Sequence, residues 1–403
     1  MQRRRFLTGA TAVGALLAGC TSSGDDESGS PGDATHGTDA ATPTPTSGTT
    51  EESTDGSPAS DTTAETDATT DAENGSYAVS MPPVGEVTFD AVPETWVANN
   101  GSWADMGIAL GRDPPKAVWL TERYHTRYYE AIDGVSVDKS DMVSLYSDGV
   151  SKELFYELDG DVHVMDPNFL TNRYKGWERS DIEEITEQIA PLFGNSVFST
   201  GYPWHESYPY LSLYEAFERL AAVFDERERY EAFAALHEEF LSAVDEVVPA
   251  GEKPAVAIMW ASGDEPESFS PYLIGDGTSF KQWRDLEVRD ALAETDVRDF
   301  HADRGAVDYE TLLEVDPDVL LFRGQEAKSA SAFQDTLVAF MNDHSVASNL
   351  SAVESGDVYR GGPLYQGPIT NLVLTERAAG QVYGVDEKLF DRGRVADTVN
   401  GEL

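Results

Sequence analysis

The spacing of apolar and polar positions changes several times along the chain, and the changes divide it. Between residues 84 and 200, short apolar runs alternate with helix-spaced stretches. "VTF" ending at Phe89 and "WVAN" from Trp96 read as strands. "SWADMGIAL" over 102–110 reads as a helix that Gly111 stops. "KAVWLT" from Lys116 reads as a buried strand, 151–158 as a helix, and "DVHVMD" from Asp161 as the strand after it. From 211 to 248 the period is helical throughout. Leu213, Phe217, Leu220, Ala221 and Phe224 form one apolar stripe, and Phe233, Leu236, Phe240, Leu241 and Val244 a second. Asp225 and Glu226 interrupt them, so two helices are expected. Alternation then resumes. "PAVAIMW" from Pro254, "DVLLFR" from Asp318 and "GDVYRG" from Gly356 read as strands, and 281–292, 309–315, 331–342 and 370–383 as helices.

One phrase occurs twice. Glu157, Asp159, Asp161 and Val162 of "ELDGDVHVMD" recur as Glu314, Asp316, Asp318 and Val319 of "EVDPDVLLFR". In both places a helix ends in an acidic turn and a buried strand follows. The pattern predicts an α/β protein with two similarly wound lobes, 77–210 and 226–403, joined by a long rigid helix over 211–225. Ligands of open parallel sheets bind beyond the carboxyl ends of the strands, which places the cleft between the lobes.

The first 76 residues break this pattern. "MQRRRFLTGATAVGALLAGC" has a basic start and an apolar stretch too short to span a bilayer. Arg3 and Arg4 before Phe6 and Leu7 resemble a twin-arginine export signal, and "LAGC" resembles a lipobox ending the signal at 1–20. Cys20, the only cysteine, is the expected lipidation site, so no disulfide framework is available. Residues 21–76 are rich in Thr, Ser, Asp and Gly and hold no Lys or Arg, which predicts a disordered acidic stalk. Lipid and stalk would hold the body at the cell surface, on the outer face of the cytoplasmic membrane.

Of 73 acids, 13 lie in the stalk, leaving the body 60 acids against 25 bases, a net charge of −35. A nucleic-acid partner is excluded by this sign. Eight Lys stand against 20 Arg. Excess acid with scarce Lys resembles proteins of salt-loving archaea, where molar salt shortens the screening length to about 3 Å.

Three stretches carry a family resemblance: "TFDAVPETWVANNGSWADMGIALG" from Thr88, "LLEVDPDVLLFRG" from Leu312, and "AVESGDVYRGGPLYQGP" from Ala352. With the lipobox, the stalk and the element order, they resemble the helical-backbone substrate-binding lipoproteins of ABC importers for ferric siderophores, haem and cobalamin, and most of all haloarchaeal ferric-hydroxamate binders. The resemblance implies a monomeric carrier that hands its small-molecule ligand to a permease and its ATPase. Iron is expected only as part of the ligand, with no intrinsic cofactor. The family docks through one acid on each lobe; Asp105 matches the first, and Asp285 stands in a stretch that departs from the pattern.

Loops after the strands supply the ligand candidates. "RYHTRYY" offers Arg123, Tyr124, Arg127 and Tyr128, with Arg323 and Tyr365 expected from the other lobe. Arginines suit the oxygens of a ferric hydroxamate and aromatics its apolar faces. Cobalamin, haem and an oxyanion remain open as ligands. The rival class is an anchored hydrolase, but no G-x-S-x-G elbow occurs, no catalytic set stands out, and the histidines lack metal-ligand spacing.

Overall fold

The computed structural model describes residues 69–70, 75–147, 149–173 and 176–403. The expected signal, Cys20 and most of the expected stalk lie outside the described residues. The body opens with an antiparallel hairpin, β1 (Tyr77–Met81) and β2 (Gly85–Phe89). Thr69–Thr70 pairs with β1, so backbone pairing begins inside the segment expected to be stalk.

The first lobe contains β3 (Trp96–Ala98), α1 (Gly101–Ala109), β4 (Ala117–Val118), β5 (Val143–Ser144), α2 (Lys152–Leu158), β6 (Val162–Val164) and α3 (Pro167–Arg173). β3 pairs with β6 and β4 with β5, both parallel. Lys116 N donates to Trp96 O (2.8 Å) and Trp119 N to Asn99 O (2.9 Å), joining the pairs. Asn100 caps α1 by accepting from Ser102 N at 2.9 Å. Every residue of α1 is buried, and Gly107 is required there: a Cβ would lie 2.3 Å from the Trp96 ring.

The helical stretch does break where expected. α4 (Leu213–Phe224) starts at a capping box in which Ser212 and Glu215 bond each other's backbone. It stops at Asp225, whose φ of 55° is left-handed, and α5 (Arg227–Val247) follows. Both apolar stripes face inward; Phe224 meets Trp96 edge-on at 5.5 Å and Phe217 meets Phe233 at 5.9 Å.

The second lobe contains β7 (Ala255–Trp260), β8 (Ser270–Pro271), β9 (Arg289–Asp290), α6 (Tyr309–Val315), β10 (Val319–Arg323), β11 (Val358–Arg360) and α7 (Pro368–Tyr383). The strands run parallel in the order β9-β7-β10-β11, with β8 antiparallel on β7. The helix expected over 281–292 is shorter, Lys281–Asp285. Glu287 turns left-handed and the chain joins the sheet, where Arg289 N donates to Pro254 O; pairing with β7 outcompetes another helical turn.

The repeated phrase performs the same task in each lobe. Asp159 and Asp316 end α2 and α6 in the same left-handed conformation, each at φ 45°. Asp161 Oδ2 then accepts from Thr95 N (2.7 Å) at the start of β3, and Asp318 Oδ2 from Ala255 N (2.7 Å) at the start of β7. Each acid ties a strand to its parallel neighbour in register. The two lobes are thus wound alike and joined by helix.

Candidate functional site

The carboxyl ends of both sheets face each other. From the first lobe come Arg123, on a short 3-10 turn after β4, and a loop carrying Phe198 and Tyr202. The second lobe presents Trp260 at the end of β7, Arg323 at the end of β10, Tyr272, His301 and Tyr365. Across the divide the Arg123 guanidinium lies 5.1 Å over the Trp260 ring and bonds Tyr365. Phe198 meets Tyr365 at 5.3 Å, and Tyr202 meets His301 at 5.2 Å. Trp119, Phe169 and Trp204 extend these aromatic walls. A groove of about 430 Å³ beside Asp90, Pro93 and Asp161 lies at the opposite, amino-terminal edge of the first-lobe strands and is lined by no arginine and by one aromatic, Phe89.

Arg323 is the least ordinary of these groups. It is 0% exposed, yet its Nη2 bonds only Ser279 O, and its Nε and Nη1 find no hydrogen-bond partner among the described residues. Its guanidinium carbon lies 4.4 Å over Phe280 and 5.2 Å over Tyr272. Burial lowers its pKa to about 10, against the pull of Tyr272, Asp299 and Glu326. A buried cation without a contacting carboxylate is costly to keep.

The other candidates of "RYHTRYY" turn elsewhere. Arg127 donates to Glu326 O and, at 2.6 Å, to Lys328 O. Tyr128 donates to the Glu326 carboxylate, which also holds Arg377 through two bonds (3.0 and 3.1 Å) and Gly362 N. Burial alone would raise Glu326; Arg377 outweighs it and brings the pKa to about 2. Tyr124 bonds Tyr129 in the core at 2.8 Å. Arg127 and Tyr128 therefore lace the lobes together and Tyr124 packs the interior, so the ligand contacts expected of these three do not match their positions. Arg123, Arg323 and Tyr365 are brought together as expected.

Residues 97–364 match the periplasmic binding protein family. The chain belongs to this family. Its members are periplasmic binding proteins. Solved structures share the fold at low identity. A periplasmic binding protein from Veillonella parvula is 15% identical, with 77% of this chain and 99% of that one covered at a TM-score of 0.54. Helicobacter pylori Ceue with Ni(II) bound is 14% identical, covering 81% and 99% at 0.52. The siderophore-binding protein BauB, bound to ferric iron and two acinetobactin molecules, is 15% identical, covering 77% and 99% at 0.52. No curated protein sequence matches the chain.

The docking acids inferred from the family resemblance need correction. Asp105 is 0% exposed and cannot present a carboxylate to a permease. It accepts from Tyr129 OH (2.6 Å), Ile369 N (3.0 Å) and Thr370 N (3.1 Å), capping the first turn of α7. Gly367 allows this approach; a Cβ there would stand 2.4 Å from the Asp105 carboxylate. Burial raises the Asp105 pKa to about 6 although every hydrogen bond pulls it down. Asp285 is tied to Lys281 at 2.7 Å with its side chain 14% exposed, and it too offers no free surface charge.

His301 stands near Ser199 and Asp299, but both contact the same nitrogen, Nδ1, at 3.1 Å. A hydrolytic relay needs the acid on one ring nitrogen and the nucleophile on the other, so this trio is no such relay. His163 is buried in β6 against Phe155, a core position as its place in a strand implies. Sequence reasoning missed Tyr202, Tyr272 and His301. For Tyr202 the signal was the density of aromatics in "GYPWHESYPY" from Gly201, which neither helix nor strand periodicity could place.

Proposed function

We propose that the protein is the solute-binding component of an ABC importer that captures a ferric siderophore of the hydroxamate type between its lobes and delivers it to a permease and its ATPase. The facing of Arg123, Arg323 and Tyr365 across aromatic walls carries this reading. Guanidinium groups answer chelate oxygens, and aromatic faces cover apolar linkers. A fold shared with a siderophore-binding protein supports a ferric complex as cargo. Iron then arrives already wrapped in oxygens, and the carrier needs no cofactor.

In the same reading the protein is a monomer exported by the twin-arginine route, and lipid on Cys20 holds it at the outer face of the membrane of a salt-loving archaeon. Cys20→Ala should leave it unprocessed or released; fractionation finding the variant processed and membrane-bound would remove the anchor from the proposal. For the cargo, the full chain in molar salt is titrated with a panel of ferric hydroxamates, neutral and anionic. Tryptophan quenching and a raised Tm are expected, worth about 2.7 kcal/mol at a hundredfold excess over Kd. Response to cyanocobalamin or haemin, and to no ferric hydroxamate of either charge, would overturn the choice of cargo.

A further inference from the structure

Charge is distributed unevenly between the body and its cleft. The body carries a net −35, yet the leading charges acting on the buried Tyr272 hydroxyl are Arg323, Arg123 and Arg304, opposed by Asp299. Asp299 is already committed: Oδ1 accepts from His301 N and contacts its Nδ1, and Oδ2 accepts from Leu273 N. Glu326, the other acid near Arg323, is filled by Arg377, Tyr128 and Gly362 N. Among the described residues neither Arg123, Arg304 nor Arg323 makes an ion pair. Their planes meet rings instead: Trp260 for Arg123, Phe300 for Arg304, Phe280 and Tyr272 for Arg323.

A neutral cargo would leave this excess uncompensated. In an acidic protein with only 20 Arg in 403 residues, gathering three around one buried hydroxyl needs a balancing charge. Low-dielectric walls focus the field of such a cluster into the cleft. Arg323 also has two specific donors to offer. Rings lie against its guanidinium and Ser279 O takes Nη2, so Nε and Nη1 are left as separate donors for oxygen-bearing groups. The two point to different sides of the guanidinium, so each can give a single charge-assisted hydrogen bond to an anionic oxygen.

We infer that the cleft is built for a ferric chelate of net negative charge, with an anionic oxygen group such as a carboxylate accepting from Nε or Nη1 of Arg323. The inference rests on the ferric-siderophore reading and narrows it: a hydroxamate ligand of this protein also bears acid groups, and neutral trihydroxamates are poor cargo.

Two probes separate the ideas. The full chain in molar salt is titrated by tryptophan fluorescence with ferrichrome, a neutral ferric trihydroxamate, and with the ferric complex of a citrate-based dihydroxamate, which is net negative. The anionic complex is expected to bind about tenfold tighter or better, the worth of one charged hydrogen bond. Arg123→Gln and Arg304→Gln should each shrink that ratio toward one while moving ferrichrome affinity less. Arg179→Gln, at an exposed residue paired with Glu183 outside the cleft, should leave the ratio unchanged and controls for net charge. Ferrichrome binding as tightly as the anionic complex overturns the charge inference and leaves the siderophore reading standing. Binding of neither complex overturns the siderophore reading, and this inference falls with it.

Discussion

Arg323 ends β10 and Glu326 stands three residues further on, both sealed from solvent, and the fold treats them in opposite ways. Glu326 is saturated: a two-bond arginine, a tyrosine hydroxyl and a backbone N–H fill its oxygens. Arg323 has one backbone carbonyl, two aromatic rings and two idle nitrogens. A completed buried charge cluster resists disturbance, because removing one partner strands the other. An incomplete one adds little to stability and keeps its capacity for something else. The same short stretch therefore holds the lobes together at one end and serves the cleft at the other.

The largest expected effect lies on the Glu326 side. Arg377→Met leaves a sealed carboxylate without its cation and should cost about 3 to 5 kcal/mol, read by urea unfolding in molar salt. A variant as stable as the parent would erase the contrast. Asp105 sharpens it, being buried and rich in hydrogen bonds but without a contacting cation. Its folded pKa, about 6, lies above the ordinary 3.8. Its contribution to stability is thus complete below about pH 4 and is lost as pH rises through 6, with about 1.4 kcal/mol going for each pH step between the two values. Against Asp105→Asn, the parent Tm should fall across that window; parallel profiles would show that the helix end alone satisfies the charge.

Smaller effects are expected on the Arg323 side. Arg323→Met should move unfolding stability by less than about 1 kcal/mol and cost the ferric ligand about 1.5 to 3 kcal/mol of affinity. Loss of folding with intact affinity in the surviving fraction would reverse the assignment of the two sides. Smallest is Tyr128→Phe, which deletes one bond to Glu326 and leaves Arg377 in place. About 1 kcal/mol of stability should go, with ligand affinity unchanged.

How much of this could be read from the chain depended on whether the cause was local. The repeated acidic phrase, the break at Asp225 and the strand before Arg323 are set by neighbours in sequence, and all appear where their spacing put them. Arg123, Arg323 and Tyr365 were reachable because residues after parallel strands have only one place to go. Asp105 was not. Its α1 pattern cannot reveal that Ile369 and Thr370 will aim their N–H groups at it from α7. Arg127 and Tyr128 looked like Arg123 in composition, and only the position of the Glu326 loop separates their roles. Tyr202 sits in a segment without period, whose fold is decided by the rings it meets.

The bonds from Arg127 to the carbonyls of Glu326 and Lys328 have a further consequence. One short segment of the first lobe carries both Arg123 and Arg127, and one short stretch of the second carries both Arg323 and Lys328. The two jaws are stitched at their base within a few residues of the teeth. Such a vice has a fixed gauge: a bulkier cargo is not met by swinging wider, since the stitch would tear before the gap grew. Descendants of this protein that change cargo would do so by filing down a tooth, in rings such as Tyr202 or Tyr272, while the stitch stays as it is.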